Sequence, residues 1–224
     1  MITNANNKGN SYDVKHRLLT VAEELFAEKG FNRTSVRDIT RKADCNVASI
    51  NYYFGGKDKL HLEVYKQNFS TLRDVRIKAI TEILQAKEED ISMDELVRAF
   101  VIAFFAPFSN DEAGHKRLML LWREMIEPHL PDRMIFEEVI APVSEVFGNA
   151  FNNICPDVER EHVYLCMQSI VGQLAHMTMA LHIYPGRNAD YYKNLDLDEY
   201  INHVVMFSTA GIMEVAKKYS KKRD

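Results

Sequence analysis

Apolar side chains recur at helical spacing along almost the whole chain. Val14, Leu18, Ala22, Leu25 and Phe26 form one stripe in the segment that begins SYDVKHRLL, and Lys15, Glu23, Glu24 and Glu28 lie off it. That spacing predicts an amphipathic helix. Gly30 suits its C′ position, where a positive φ costs glycine little, and Phe31 is placed to fold back on Phe26. A short second helix follows Thr34 and Ser35, whose hydroxyls suit an N-cap. Ser35 and Asp38, three residues apart, resemble a capping box. Val36, Ile39 and Ala43 mark the inner face of this helix. Asp44 falls where the chain must turn and tolerates a left-handed conformation. Cys45 is apolar enough to fill the space beside it as a buried thiol. Asn46 is an N-cap for a third helix, 47–54, which turns Ile50 and Phe54 inward. Its opposite face carries Val47, Ala48, Asn51 and Tyr52, with Ser49 and Tyr53 on the flank.

Six longer helices are expected after Lys57. The fourth runs from 57 to about 87, with Leu60, Val64, Phe69, Leu72, Ile80 and Ile83 among its apolar positions. The fifth, ISMDELVRAFVIAFFAPF, is capped near Ser92, interrupted at Pro107 and apolar on all sides in its middle, which means burial. The sixth, DEAGHKRLMLLWREMIEP, ends before Pro128. A seventh opens at Pro131 and runs to about 153, with a kink expected at Pro142. The eighth covers 157–183 and the ninth 197–220. IYPGRNADYYKN between them reads as a loop, and the first ten residues and the final SKKRD are expected to fray. No strand pair or repeat appears, so the fold class is all-α. The expected division is a flexible 1–10, a head at 11–56 and a helical body at 57–224.

Composition narrows the setting. Apolar residues make up 46%, with 6 prolines and 9 glycines, which favours a helix-rich globule over a disordered chain. Cys45, Cys155 and Cys166 are odd in number and widely spaced, so a disulfide framework is not expected and a reducing cytoplasm is. MITNANNKGN lacks the apolar core of a signal peptide. The longest apolar run, AFVIAFFAPF, is too short to span a bilayer. Residues 1–60 hold ten Lys and Arg against seven Asp and Glu, whereas the rest holds 18 against 25. A basic head on an acidic body fits a polyanion-binding head.

The second and third helices with their tight turn make a helix-turn-helix. Val47 and Ala48 are small enough to let the third helix approach a major groove, and Asn51 can pair bidentately with adenine. The hydroxyls of Tyr52 and Tyr53 can donate to phosphates. Lys57 opens the fourth helix, where a cation meets the positive end of the dipole at a cost of about 0.3–1 kcal/mol. It is either a solvated lysine eased by Asp58 or a phosphate contact.

The stretch TSVRDITRKADCNVASINYYFGGKDKL resembles the head of the tetracycline-repressor (TetR) family. Thr34, Ser35, Arg37, Ile39, Ile50, Tyr52, Tyr53, Phe54, Lys57 and Leu60 meet its pattern, over residues 14–62. Asp44 stands where the family usually has glycine, and Asn51 where it often has tyrosine. INYYFGGK and LLWREMIEP lean towards a subgroup sharing an REM-x-x-P segment. The resemblance implies a homodimeric, all-helical regulator of transcription. Its DNA-binding set here is Thr34, Ser35, Arg37, Val47, Ala48, Ser49, Asn51, Tyr52, Tyr53 and Lys57, with Arg37 and Asn51 reading bases. It also implies that the last two helices pair with their copies in a four-helix dimer interface, at Met167, Ile170, Leu174, Val205, Ser208 and Ile212.

Other chemistry is sparse. Glu159, His162 and Cys166 could share a helical face as soft-metal ligands, but they read more simply as a solvated or interfacial face. No metal or cofactor is expected. No HExxH, GxSxG, phosphate loop or CxxC occurs, so an enzyme has almost no support. Phe104, Phe105, His115, Trp122, Arg123, Met125, His176 and Met177 could line an effector cavity or simply form core. Arg123 and His176 would need partners if buried. The expectation is a dimeric repressor that leaves a palindromic operator when a small-molecule effector binds. A DNA-bound interaction or architectural protein with no such switch is the alternative.

Overall fold

The computed structural model describes residues 5–86, 91–108, 112–182 and 196–219. Among them are nine α-helices and no strand: α1 Ala5–Lys29, α2 Val36–Lys42, α3 Ala48–Phe54, α4 Lys57–Ala86, α5 Met93–Phe105, α6 Glu112–Ile126, α7 Ala141–Ile154, α8 Arg160–His182 and α9 Leu197–Tyr219. α1 begins earlier than Ser11, where the apolar stripe alone would start it. The expected loop IYPGRNADYYKN and the final SKKRD lie outside the described residues.

The helix ends follow local chemistry. The Ser35 hydroxyl accepts the Asp38 backbone N–H at 3.1 Å, and the Asp38 carboxylate accepts the Ser35 N–H at 3.2 Å. Ser92 and Glu95 repeat the same box at the start of α5. Each box satisfies two backbone donors that a helix N-terminus leaves open. α5 gives way to a 3-10 turn at Ala106–Phe108, where Pro107 interrupts it. Pro142 produces a local change of helix type instead of a simple kink. A π turn, Phe136–Ile140, runs directly into α7, where proline occupies the first turn. Proline has no N–H to return to the carbonyl four residues back, and a widened turn accommodates that loss.

The chain divides into two compact units. The first takes the residues up to Thr71 together with Phe108–Ile135, so α6 belongs with the head helices. Leu18, Phe26, Ile39, Ile50, Leu60 and Phe69 are buried in it, and the Tyr65 hydroxyl donates to the Leu120 carbonyl at 2.7 Å. The second takes Leu72–Pro107 and the chain from Phe136 on. There α9 packs on α5 and α8, and α7 packs on α5 and α8, around Leu96, Phe100, Phe147, Phe151, Ile170 and Val205. α4 contributes its first half to one unit and its second half to the other.

Candidate nucleic-acid interface

The turn between α2 and α3 is made by Asp44 at φ 51°, the only non-glycine residue with positive φ among those described. The Asn46 side chain accepts the Ala48 N–H at 2.8 Å and so caps α3. Ile50 and Phe54 are buried and pin the helix to the head core. Gly55, at φ 76°, ends it and returns its N–H to the Asn51 carbonyl at 2.9 Å. With that anchoring, Val47, Ala48, Asn51 and Tyr52 all face outward, and Tyr52 is 81% exposed. Ser49 and Tyr53 are half-buried on the flank. The rings of Tyr52 and Tyr53 meet edge to face, 4.8 Å apart, which limits the directions their hydroxyls can take.

The basic residues of the head have different fates. Arg41 pairs with Asp38 at 2.8 Å and Lys42 with Glu24 at 2.7 Å. Lys42 also holds the Glu24 carboxyl below its usual range. Arg37 is exposed. Lys57 is half-buried, its ammonium 3.9 Å from the centre of the Phe31 ring. Burial lowers its pKa, and Asp58 opposes the shift. The ring holds the charge at the head of α4 instead of letting it roam.

Two expected contact residues are used elsewhere or shared. Thr34 is 1% exposed and donates its hydroxyl to the carbonyls of Gly30 at 2.8 Å and Leu25 at 3.1 Å. It closes the end of α1 and cannot reach a nucleic acid. Ser35 is exposed, but its side chain serves the capping box. Cys45 is half-buried and not sealed in; its thiol donates to the Ala43 carbonyl at 3.2 Å and accepts from Arg17 at 3.8 Å.

Sequence comparison identifies this head. The model for bacterial regulatory proteins of the tetR family matches residues 18–64, and a tetracyclin repressor-like C-terminal domain matches residues 98–211. The chain belongs to the TetR family. YttP of Bacillus subtilis, described as a probable HTH-type transcriptional regulator, is 40% identical over 86 residues, which are 37% of this chain and only 42% of that relative. QacR of Staphylococcus aureus, another HTH-type transcriptional regulator, is 21% identical over 170 residues, 67% of this chain and 89% of that one. A solved TetR-family regulator from Mesorhizobium loti shares the fold with a TM-score of 0.65 at 20% identity, covering 92% of this chain and 97% of that chain. The protein is thus a DNA-binding regulator of transcription, not an enzyme.

The expected effector residues are divided between the two units. His115, Trp122, Arg123 and Met125 belong to the first unit; Phe104, Phe105, His176 and Met177 belong to the second. His115, Met125 and His176 are exposed, and Trp122 is half-buried. Phe104 and Met177 are buried, and Phe105 meets Phe104 edge on. Arg123 has found its partners within the protein: its guanidinium donates to the carbonyls of Ala27 and Glu28 at the end of α1. These are carbonyls a helix C-terminus leaves open, at the negative end of its dipole.

Glu159, His162 and Cys166 are not gathered either. Glu159 is exposed, Cys166 is buried and the His162 ring stacks on Tyr219 at 3.9 Å. No group of three potential ligands suited to a metal occurs among the described residues. No described helix is long and apolar enough to cross a membrane.

The dimer residues need correction as well. Met167, Ile170, Leu174, Val205, Ser208 and Ile212 are all buried inside the protomer, Ile170 completely. They are the inward faces of α8 and α9, so a second copy cannot reach them. The apolar residues these helices leave open include Tyr164 and Leu165 on α8 and Met206, Phe207 and Met213 on α9, with Phe207 62% exposed.

Two features escaped the sequence reading. One is an apolar groove of about 620 Å³ between α4 and α5, lined by Val75, Ala79, Ile83, Ala99, Ile102 and Ala103, among others. The other is Arg76. It lies between Leu72 and Ile80 on the buried stripe of α4, at i, i+4 and i+8. A cation in the middle of an apolar stripe was the available signal. Its guanidinium stands 4.4 Å from the centre of the Phe104 ring. A ring face returns about 0.5–2 kcal/mol, less than the several kcal/mol that desolvating an ion costs.

Proposed function

We propose that the protein is a homodimeric repressor which presents α3 of each head to successive major grooves of a palindromic operator. The observation that carries this reading is the outward face of α3: small Val47 and Ala48, an amide at Asn51 and phenols at Tyr52 and Tyr53. Asn51 and Arg37 read base edges, and Tyr52, Tyr53 and Lys57 hold phosphates; Ser35 and Ser49 lie beside them. Two heads bind half-sites about 34–36 Å apart. The second copy meets the open apolar face of α8 and α9. Apolar side chains on two adjacent helices, exposed in one protomer, are the usual mark of an association surface.

A small-molecule effector in the second unit releases the operator. Support comes from α4, one unbroken helix common to both units, which begins at the phosphate-holding Lys57. An effector acts only through its differential affinity for the two states, so operator DNA must weaken effector binding by the same factor. The test is selection of bound fragments from random DNA by the wild type and by Asn51→Ala. Enrichment of one palindrome, with one position per half-site relaxed in the variant, is the expected result. Enrichment of no sequence would overturn it.

A further inference from the structure

Arg76 is a buried charge without a counter-charge. It is 8% exposed, and its Nε is buried with no hydrogen-bond partner. Among the described residues no carboxylate is paired with it. Arg73, one turn earlier on α4, does have carboxylates, pairing with Glu138 at 3.5 Å and Asp74 at 2.8 Å. Leu72, Ile80 and Phe104 supply apolar surroundings. Burial alone pushes the guanidinium pKa down to about 10, with no neighbouring charge acting on it. It therefore stays charged at neutral pH, and the face of Phe104 offsets only part of the loss of water.

We propose that Arg76 is the anchor for an acidic effector, a monoanionic carboxylate carrying an apolar body. The carboxylate matches the planar fork of the guanidinium and supplies the missing acceptor oxygens. One cation balances one negative charge, so a dianion would leave charge unpaired in apolar surroundings. The apolar body follows from the residues around the charge. Neither Arg76 nor Phe104 lines the open groove between α4 and α5. The acid therefore has to enter the seam between those helices, which makes its occupancy a constraint on α4. This inference rests on the effector-responsive reading above and gives that effector a chemical class.

Thermal unfolding of the full-length protein tests it. The probes are octanoate and naphthoate, each set against the alcohol of the same body, octanol and naphthylmethanol. At saturation an acid should raise the unfolding midpoint by about 5–10 °C. It should bind about ten- to a hundredfold more tightly than its alcohol. Arg76→Met should remove the preference for acid over alcohol and, without ligand, unfold at a higher temperature than the wild type. Arg73→Met, which removes a cation one turn away, should keep the preference. Equal effects of acid and alcohol on the wild type, or no shift with either acid, would overturn the assignment without need of a variant. So would a lower ligand-free midpoint for Arg76→Met. Operator binding by the ligand-free wild type is measured separately. Its absence would sink the regulator reading and leave the acid result standing, whereas acid binding that leaves operator affinity unchanged would remove the word effector alone.

Discussion

Arg123 donates from Nε to the carbonyl oxygen of Ala27 at 2.7 Å, so α6 closes the C-terminal end of α1. A second donation, to Glu28, comes from the same fork. Gly30 makes the approach feasible: a Cβ there would stand 3.3 Å from the guanidinium, at a backbone φ of 78° that disfavours side chains. Arg123→Met should lower stability by about 1–3 kcal/mol, as expected for charge-assisted hydrogen bonds. Urea unfolding measures it. An unchanged midpoint would mean that the contact is incidental.

Thr34→Val should behave as a stability mutant and not as a DNA-contact mutant. Its hydroxyl has two buried backbone acceptors. Losing them should cost about 1–3 kcal/mol, while operator affinity per folded molecule stays as in the wild type. Weaker binding at full folding would return Thr34 to the interface.

Lys57→Ala should weaken specific and non-specific DNA binding together. It should flatten the slope of log affinity against log salt by about 0.9 per head if one phosphate contact is lost. Asn51→Ala should cost about 1–3 kcal/mol per half-site and relax one base position. A slope that does not change rules out the phosphate contact.

The two apolar faces of α8 and α9 should answer differently to a carboxylate. Ile170→Glu buries a charge inside the protomer, and its expected outcome is an unfolded chain. Phe207→Glu places the charge on the open face and should give a folded monomer. Sedimentation and circular dichroism separate the two results. A folded dimer from Phe207→Glu would move the interface elsewhere.

His61 predicts a loss of stability in acid. It is buried among Phe26, Phe31 and Tyr65, with the His129 ring 6.0 Å away. Burial first, then His129 and Lys57, push its pKa down to about 4, and Asp58 opposes them. The unfolded chain binds this proton near pH 6.5, so the neutral ring contributes fully above that value. The contribution fades as pH falls through 6.5 towards 4, by up to about 3 kcal/mol. His61→Phe keeps the aromatic cluster and should flatten stability against pH in that window. An unaltered slope would assign the acid sensitivity to other groups.

The parts of this protein legible in the sequence are those decided within one turn of chain. Ser35 and Asp38, Ser92 and Glu95, Asp44, and the split of α3 into Ile50 and Phe54 against Asn51 and Tyr52 all depend on neighbours a few residues away. What misled was distance and symmetry. Arg123 meets a carbonyl 96 residues earlier, so its unmet donors looked like a ligand site. α8 is apolar on two sides, and periodicity cannot say which side the protomer keeps. Met167, Ile170 and Leu174 turned out to be the inner one. Thr34 fits the family pattern, yet its hydroxyl is spent on the end of α1.

α4 has 30 residues and neither proline nor glycine among them. It is therefore a stiff rod about 45 Å long with no joint at which to bend. Rotating such a rod by about 5° about one end carries the other through about 4 Å, slightly more than the 3.4 Å axial rise per base pair of DNA. On the effector-responsive proposal, a ligand need not remodel anything to matter here. A change in angle too small to disturb the packing around it is already a whole base step of misregistry at the far end.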